Sequence, residues 1–433
     1  MKESVYNYYT PYGEHYLFFN GRTKRIFQVS KKNADKFQEI ICNPDIYKED
    51  CPVFISKMKE DGFILEDGVN ELDLVKELYH ELRFPEVYQL MILPTYRCNL
   101  SCWYCLQRHQ NIDLTPEHVR RIKLHIRKYL QENQIKIFYL TWFGGEPLLR
   151  YDIIVDLSSY ALQVCQEMGI QYKCGITTNG LLLNEERIKE MGRLHFKHFQ
   201  ITIDGCEEEH NKVKHLKGIN TFGKTLKNIA TIVREIPKVD CCLRINYSDQ
   251  TLAPEAIMQD INKYLPEELH SLVRINLQKI WQVRSDKINK EKISDLGTQV
   301  SKSNFTTSTL INNICYVDYI HFNCVFPNGK LGKCDNEGLN EQNGEIAADG
   351  SVHRSEKYLF EDFDIFSEKS QCATCKHLPS CWGPCPQKKN QSLMQHGTIK
   401  CIYKKPEQRM RNLIEFYGRQ YIKREKTSTE VYV

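Results

Sequence analysis

From Val87 to Ile280 the chain alternates short apolar runs with longer amphipathic stretches, and few architectures accept that rhythm. The runs that read as strands are Gln89–Leu93, Lys136–Leu140, Gln171–Ile176, Phe199–Ile203, Cys242–Ile245 and Val273–Leu277. Between them, Pro116–Leu130, Asp152–Met168, Glu185–Met191, Thr221–Ile236 and Pro254–Tyr264 repeat apolar residues at helical spacing. Strand and helix in turn imply a parallel sheet with helices outside it. Ligands of parallel barrels gather at the C-terminal ends of the strands. The unusual residues of this chain fall at those ends.

The first strand runs into Cys98-Asn99-Leu100-Ser101-Cys102-Trp103-Tyr104-Cys105. Cysteines at C-x-x-x-C-x-x-C spacing can bring three thiolates onto one small object. On a four-iron cluster, three thiolates leave one iron open to an external ligand, to which it can pass an electron. Zinc is the alternative, although closed zinc sites want four ligands. After the second strand comes Trp142-Phe143-Gly144-Gly145-Glu146-Pro147, where paired glycines allow close backbone approach to a ligand and Glu146 offers a carboxylate to an ammonium group. Thr177-Thr178-Asn179-Gly180 and Thr202-Ile203-Asp204-Gly205 follow the third and fourth strands; both also suit ordinary turns.

The 59 basic and 55 acidic residues nearly balance at +4, without the basic excess of a nucleic-acid protein. No apolar run approaches the roughly 20 residues that span a membrane. Met1-Lys2-Glu3-Ser4 does not open a signal peptide. The expectation is a soluble cytoplasmic protein with neither nucleic-acid nor membrane partner. In a reducing compartment its 18 cysteines are metal ligands or catalytic groups before they are disulfides. Seven of them (Cys42, Cys51, Cys165, Cys174, Cys206, Cys241, Cys242) are scattered, as small core residues are.

The triplet, with Tyr104 before its last cysteine, resembles the signature of the radical S-adenosylmethionine (SAM) superfamily. The resemblance implies a partial (β/α)6 barrel that binds a [4Fe–4S] cluster through Cys98, Cys102 and Cys105 and cleaves SAM to a 5′-deoxyadenosyl radical. Gly144, Gly145, Glu146, Thr178, Asn179, Thr202 and Asp204 match motifs lining the SAM site in that family. His210-Asn211-Lys212-Val213-Lys214 resembles a pattern that ends in arginine; Lys214 can meet the SAM carboxylate as a point charge but without the arginine fork.

A second cysteine set lies downstream: Cys315, then Gly329 and Cys334, then Cys372-x-x-Cys375, Cys381, Cys385 and Cys401. Read by itself it is two metal sites, iron–sulfur or zinc. It resembles the SPASM extension of radical SAM enzymes, which carries two auxiliary [4Fe–4S] clusters, making three in all. The resemblance assigns Cys372, Cys375, Cys381 and Cys401 to one cluster and Cys315, Cys334 and Cys385 to the other. Cys324 is a spare fourth ligand for the latter, or its fourth iron stays open to substrate. Asp335 matches the general base of anaerobic sulfatase-maturating enzymes, although an exposed carboxylate is the simpler reading.

In front, Tyr16–Gly21 and Arg25–Ser30 read as strands, Lys31–Ile41 as a helix capped by Ser30, Pro52–Glu60 as a second helix, Phe63–Leu65 as a strand and residues 70–83 as a connecting helix. The order resembles the winged-helix-like peptide-recognition domain of peptide-modifying radical SAM enzymes. The expected domains are 1–85, 86–300 (radical SAM core) and 301–433 (SPASM). The expected function is maturation of a ribosomal precursor peptide by thioether or carbon–carbon crosslinking, with a flavodoxin- or ferredoxin-type electron donor. Formylglycine formation in a sulfatase is the alternative, and a non-enzymatic zinc-binding regulatory module a third possibility.

Overall fold

A computed structural model describes the chain except residues 108, 285–287, 308–313, 337–343, 355–363 and 426–433, and the side chains of 419, 420 and 422–425. The chain divides into two compact units, Met1–Phe84 with Ile311–Tyr319 and Leu359–Val433, and Pro85–Leu310 with Ile320–Tyr358. Residues 301–433 are shared between the two units.

In the second unit the strands Val87–Ile92, Ile137–Trp142, Gln171–Thr178, Phe196–Asp204, Asp240–Tyr247 and Val273–Lys279 lie side by side in chain order, all parallel. Chain order without reversal is the order of a (β/α) barrel; a doubly wound sheet would reverse it. In the first two strands alternate residues are buried, Tyr88, Leu90 and Ile92, then Phe138, Leu140 and Trp142. Side chains start the intervening helices. Thr115 forms a capping box with His118, and Asn184 and Asn220 accept from Arg187 N–H and Gly223 N–H. Phe322–Val325 adds in parallel to the first strand and leads into the antiparallel strands Lys330–Gly332, Gly344–Ile346 and Val352–Arg354.

The first unit opens with an antiparallel sheet of Asn7–Tyr12, His15–Asn20 and Ile26–Ser30. The helices Lys31–Cys42, Pro52–Glu60 and Glu71–Arg83 follow, and Ile64–Leu65 pairs with Lys2–Glu3. Ser30 stands at the start of its helix with an extended backbone but makes no side-chain cap, contrary to expectation. Tyr6, Val75, Tyr79, Leu378, Trp382 and Ile399 share one core, and Cys372 is buried with them.

Candidate active site

The first cysteine loop is fixed at its start by an ion cluster. Asp113 accepts from Thr95 Oγ1 at 2.6 Å and Arg97 Nε at 3.0 Å, and pairs with Arg150 at 3.2 Å. Cys105 N–H donates to Cys102 O at 3.0 Å, which curls the loop, and Leu100 N–H points at Cys98 Sγ from 3.4 Å. Burial pushes the Cys98 thiol up to about 12 and raises that of Cys102. Thiols in such a place stay protonated until a cation comes to them, which a metal does. Three neighbouring thiols with a backbone N–H on one sulfur fit an iron–sulfur cluster.

The glycine pair serves this loop directly. A Cβ at Gly145 would lie 2.1 Å from Arg97 O, and one at Gly144 (φ +128°) 2.7 Å from Thr95 O. Gly145 N–H and Glu146 N–H donate to Thr95 O and Arg97 O at 3.1 and 2.8 Å. The close approach that glycine permits is therefore to the backbone of residues 95–97, as well as to any ligand. Glu146 is completely buried. Its carboxylate accepts from Thr178 Oγ1 at 2.7 Å, Asn179 N–H at 2.9 Å and Leu148 N–H at 3.0 Å. Burial raises its pKa and those donors oppose the rise. It ties the second and third strand ends together.

These elements enclose a cavity of about 300 Å³. Cys98, Cys102, Tyr104, Cys105, Gly144, Gly145, Thr178, Asn179, Thr202, Lys214 and Asp335 all line it. Glu146 and Asp204, the other two residues expected there, lie beneath the wall, each without exposed surface. Tyr104 OH donates to Asp204 Oδ1 at 2.5 Å, and Lys214 Nζ lies 3.0 Å from Asp204 Oδ2 and donates to Thr202 O at 2.6 Å. Burial first, then Asp204, keeps the Tyr104 phenol far from ionising. The lining also contains Arg244, Asn246, Lys279 and Trp281, which motif reading missed. The available signal was Arg244 and Asn246 alternating with Leu243 and Ile245 in an otherwise apolar strand.

Residues 92–260 match the family model described as Radical SAM superfamily. The chain carries a radical SAM domain. Among curated proteins it is similar to GTP 3′,8-cyclase of Clostridium perfringens (strain SM101 / Type A), 28% identical over 190 residues, 44% of this chain and 52% of that protein. It is likewise similar to mycofactocin maturase MftC of Mycobacterium tuberculosis (strain ATCC 25618 / H37Rv), 28% identical over 139 residues, 31% and 32% of the two chains. The chain thus spans about half the length of the first relative and a third of the second. In fold it is similar to native anSMEcpe with bound AdoMet and Cp18Cys peptide, with TM-score 0.56, 16% identity, and coverage of 79% of this chain and 100% of that one. A radical SAM domain takes a [4Fe–4S] cluster and SAM. Among the described residues no helix is long and apolar enough to cross a membrane.

Beyond the radical SAM domain, Cys372, Cys375, Cys381 and Cys401 all fall in the first unit. Gln371 N–H donates to Ile399 O at 3.0 Å and Cys401 N–H to Gln371 Oε1 at 3.1 Å, which brings the ends of a 30-residue excursion together. Cys375 N–H donates to Cys372 O at 3.0 Å, His377 N–H meets Cys375 Sγ at 3.4 Å, and Arg409 Nη1 meets Cys381 Sγ at 3.1 Å. Burial raises the thiols of Cys372 and Cys375, with Cys381 among the neighbours adding to the rise. Four neighbouring thiols with N–H donors on two sulfurs fit a cluster too. Among the described residues no three His, Cys, Asp or Glu side chains are gathered to hold a single metal ion. Cys315 and Cys385 also belong to the first unit, and Cys334 to the second. Cys324 is wholly buried in strand Phe322–Val325. Of the scattered cysteines, Cys165, Cys174, Cys241 and Cys242 are buried, Cys51 and Cys206 half-buried, and Cys42 exposed.

Proposed function

We propose that the chain is a radical SAM enzyme that oxidatively modifies a ribosomal peptide, forming a thioether or a carbon–carbon crosslink. The observation that carries this reading is one cavity on which Cys98, Cys102 and Cys105 meet Gly145, Asn179 and Thr202. When bound, the cluster and SAM supply a 5′-deoxyadenosyl radical that removes hydrogen from a substrate carbon. The three cysteines hold the cluster. The glycine pair and Glu146 set the shape of the SAM-side wall, and Tyr104 and Asp204 brace its floor. Asp335, half-buried on the wall, takes the proton that an oxidised substrate gives up. Cys372, Cys375, Cys381 and Cys401, all in the first unit, hold one auxiliary cluster.

A peptide substrate is supported by the free edge of the front sheet. Among the described residues strand Ile26–Ser30 pairs only with His15–Asn20, and a leader peptide can add to such an edge. Similarity to a maturase, MftC, points the same way. The electron donor is of flavodoxin or ferredoxin type. Formylglycine formation is the second reading, favoured by Asp335 on the cavity wall directly after Cys334.

The test is anaerobic reconstitution followed by SAM turnover with dithionite, comparing wild type with a Cys98→Ala/Cys102→Ala/Cys105→Ala variant. Three clusters give about twelve irons per chain, and 5′-deoxyadenosine should come from wild type alone. Zinc in place of iron, or no 5′-deoxyadenosine from wild type, leaves a metal-stabilised binding module. Wild-type turnover with a precursor peptide, against turnover with a sulfatase-derived peptide, separates the two enzyme readings.

A further inference from the structure

Side chains on and beneath the cavity wall form a continuous chain. Arg244 Nε donates to Asn246 Oδ1 at 3.0 Å, and Asn246 Nδ2 donates to Tyr104 OH at 3.1 Å. Tyr104 OH donates to Asp204, which pairs with Lys214. Asp204 and Lys214 are almost wholly buried and cancel each other's charge. The motif match makes Lys214 the partner of the SAM carboxylate, yet its ammonium is already held by Asp204 and by Thr202 O. Of the other two lining cations, Lys279 donates to Ile280 O and Val283 O, which leaves the Arg244 guanidinium the better placed for an anion. Its hydrogen-bond partner among the described residues is the neutral Asn246, and its side chain lines the cavity.

We infer that Arg244 binds the methionyl carboxylate of SAM, in the role that the motif match gives Lys214; the inference rests on the radical SAM reading above. A guanidinium presents a planar fork that a carboxylate fills with two hydrogen bonds, which a lysine cannot offer. Asn246 fixes the Nε side of the fork and leaves the two Nη groups for the ligand. Burial lowers the Arg244 pKa, and Cys242, Tyr104, Asp204 and Asp335 counter this from a distance. A half-desolvated cation of this kind gains most from an anion delivered by a ligand. Position argues for SAM over the peptide. Arg244 pairs in register with Thr202, and it sits three residues inside the C-terminal end of its strand. Thr202 belongs to a motif expected on the SAM side of the cavity, so the residue beside it in register faces the cofactor.

The test is equilibrium binding of SAM and of decarboxylated SAM to cluster-loaded protein. For Arg244→Gln, SAM affinity should fall about 10- to 100-fold, the worth of a charge-assisted hydrogen bond, while decarboxylated SAM binds as to wild type. Arg244→Lys should recover part of the SAM affinity, as a point charge without the fork. Equal SAM affinity in Arg244→Gln and wild type overturns the assignment, and so does an equal loss for both ligands, which would mark a structural residue. Failure of wild type to bind SAM at all would instead overturn the radical SAM reading itself.

Discussion

Two regions of this molecule gather cysteines, and they do so in opposite ways. Cys98, Cys102 and Cys105 come from one eight-residue loop, and all three line a cavity. Cys372, Cys375, Cys381 and Cys401 come from a turn, a short helix and a returning segment, and Cys372 is packed in a core with Trp382, Leu378 and Ile399. The first set has three thiols on a ligand-sized space. The second has four, enough to satisfy every corner of a cluster from the protein. Open coordination suits a site that must take a ligand and react. Full coordination anchored on a packed core through one of its four thiols suits a site that holds structure or passes electrons. Thiol count and packing thus divide chemistry from support before any substrate is known.

The sharpest way to break this contrast is to remove one thiol from each region. Cys98→Ala should abolish 5′-deoxyadenosine formation, a fall of at least about 1,000-fold, because the open iron is lost with its cluster. Cys375→Ala should lose the iron of the proposed auxiliary cluster but keep SAM cleavage within about tenfold of wild type. Iron analysis and 5′-deoxyadenosine assay on the two variants decide the matter. Equal loss of cleavage from both would mean that the second region takes part in SAM activation.

Acid offers a second separation, with a smaller effect. In the radical SAM unit His125 is buried, and burial holds its pKa down at about 4, with Arg354 also lowering it. Nδ1–H donates to Gly350 O at 3.0 Å and Nε2 accepts from Tyr88 OH at 2.6 Å, so both nitrogens are committed to the neutral ring. The unfolded chain takes up this proton near pH 6.5, whereas the folded unit resists until about pH 4. Folding stability is therefore full above pH 6.5 and falls as pH drops towards 4, by up to about 3 kcal/mol. Amide exchange in helix Pro116–Glu132 should quicken across that window in wild type and change less in His125→Gln. If the Pro386–His396 helix of the other unit loosens equally and the variant makes no difference, the acid response is not His125's.

Much of this was legible before the structure. Strand and helix positions in the second unit follow from apolar periodicity, because each element buries one face against its neighbours. The strand Asn7–Tyr12 escaped because Pro11 lies in the run and demotes it, yet an edge strand tolerates proline. Gly144 and Gly145 were found, but only the structure shows that their nearest neighbours are Thr95 and Arg97. Glu146 was expected to face an ammonium, and the structure adds three donors within the protein that motif reading did not foresee. Arg244 belongs to no motif and emerges only when the fifth strand is set beside the fourth. The division of residues 301–433 between two units leaves no mark in composition. Local pattern reports local structure, whereas the identity of a neighbour is a tertiary fact.

The finest difference between the regions concerns what touches the sulfurs. Cys98 Sγ is met by the backbone N–H of Leu100, which among substitutions only proline removes. Cys381 Sγ is met by Arg409 Nη1, from a guanidinium that also lies 4.1 Å from the centre of the Tyr403 ring. Hydrogen bonds and positive charge at a ligand sulfur favour the reduced cluster, because reduction adds negative charge there. Arg409→Leu should therefore lower the potential of the proposed auxiliary cluster by on the order of 100 mV, the worth of about one charge-assisted hydrogen bond in a one-electron couple. The potential of the SAM-binding cluster should stay where it is. A redox titration followed by electron paramagnetic resonance reads both couples in one sample. A shift in both, or in neither, would mean that the Arg409 contact does not tune Cys381, and the two regions would then differ only in thiol count and packing.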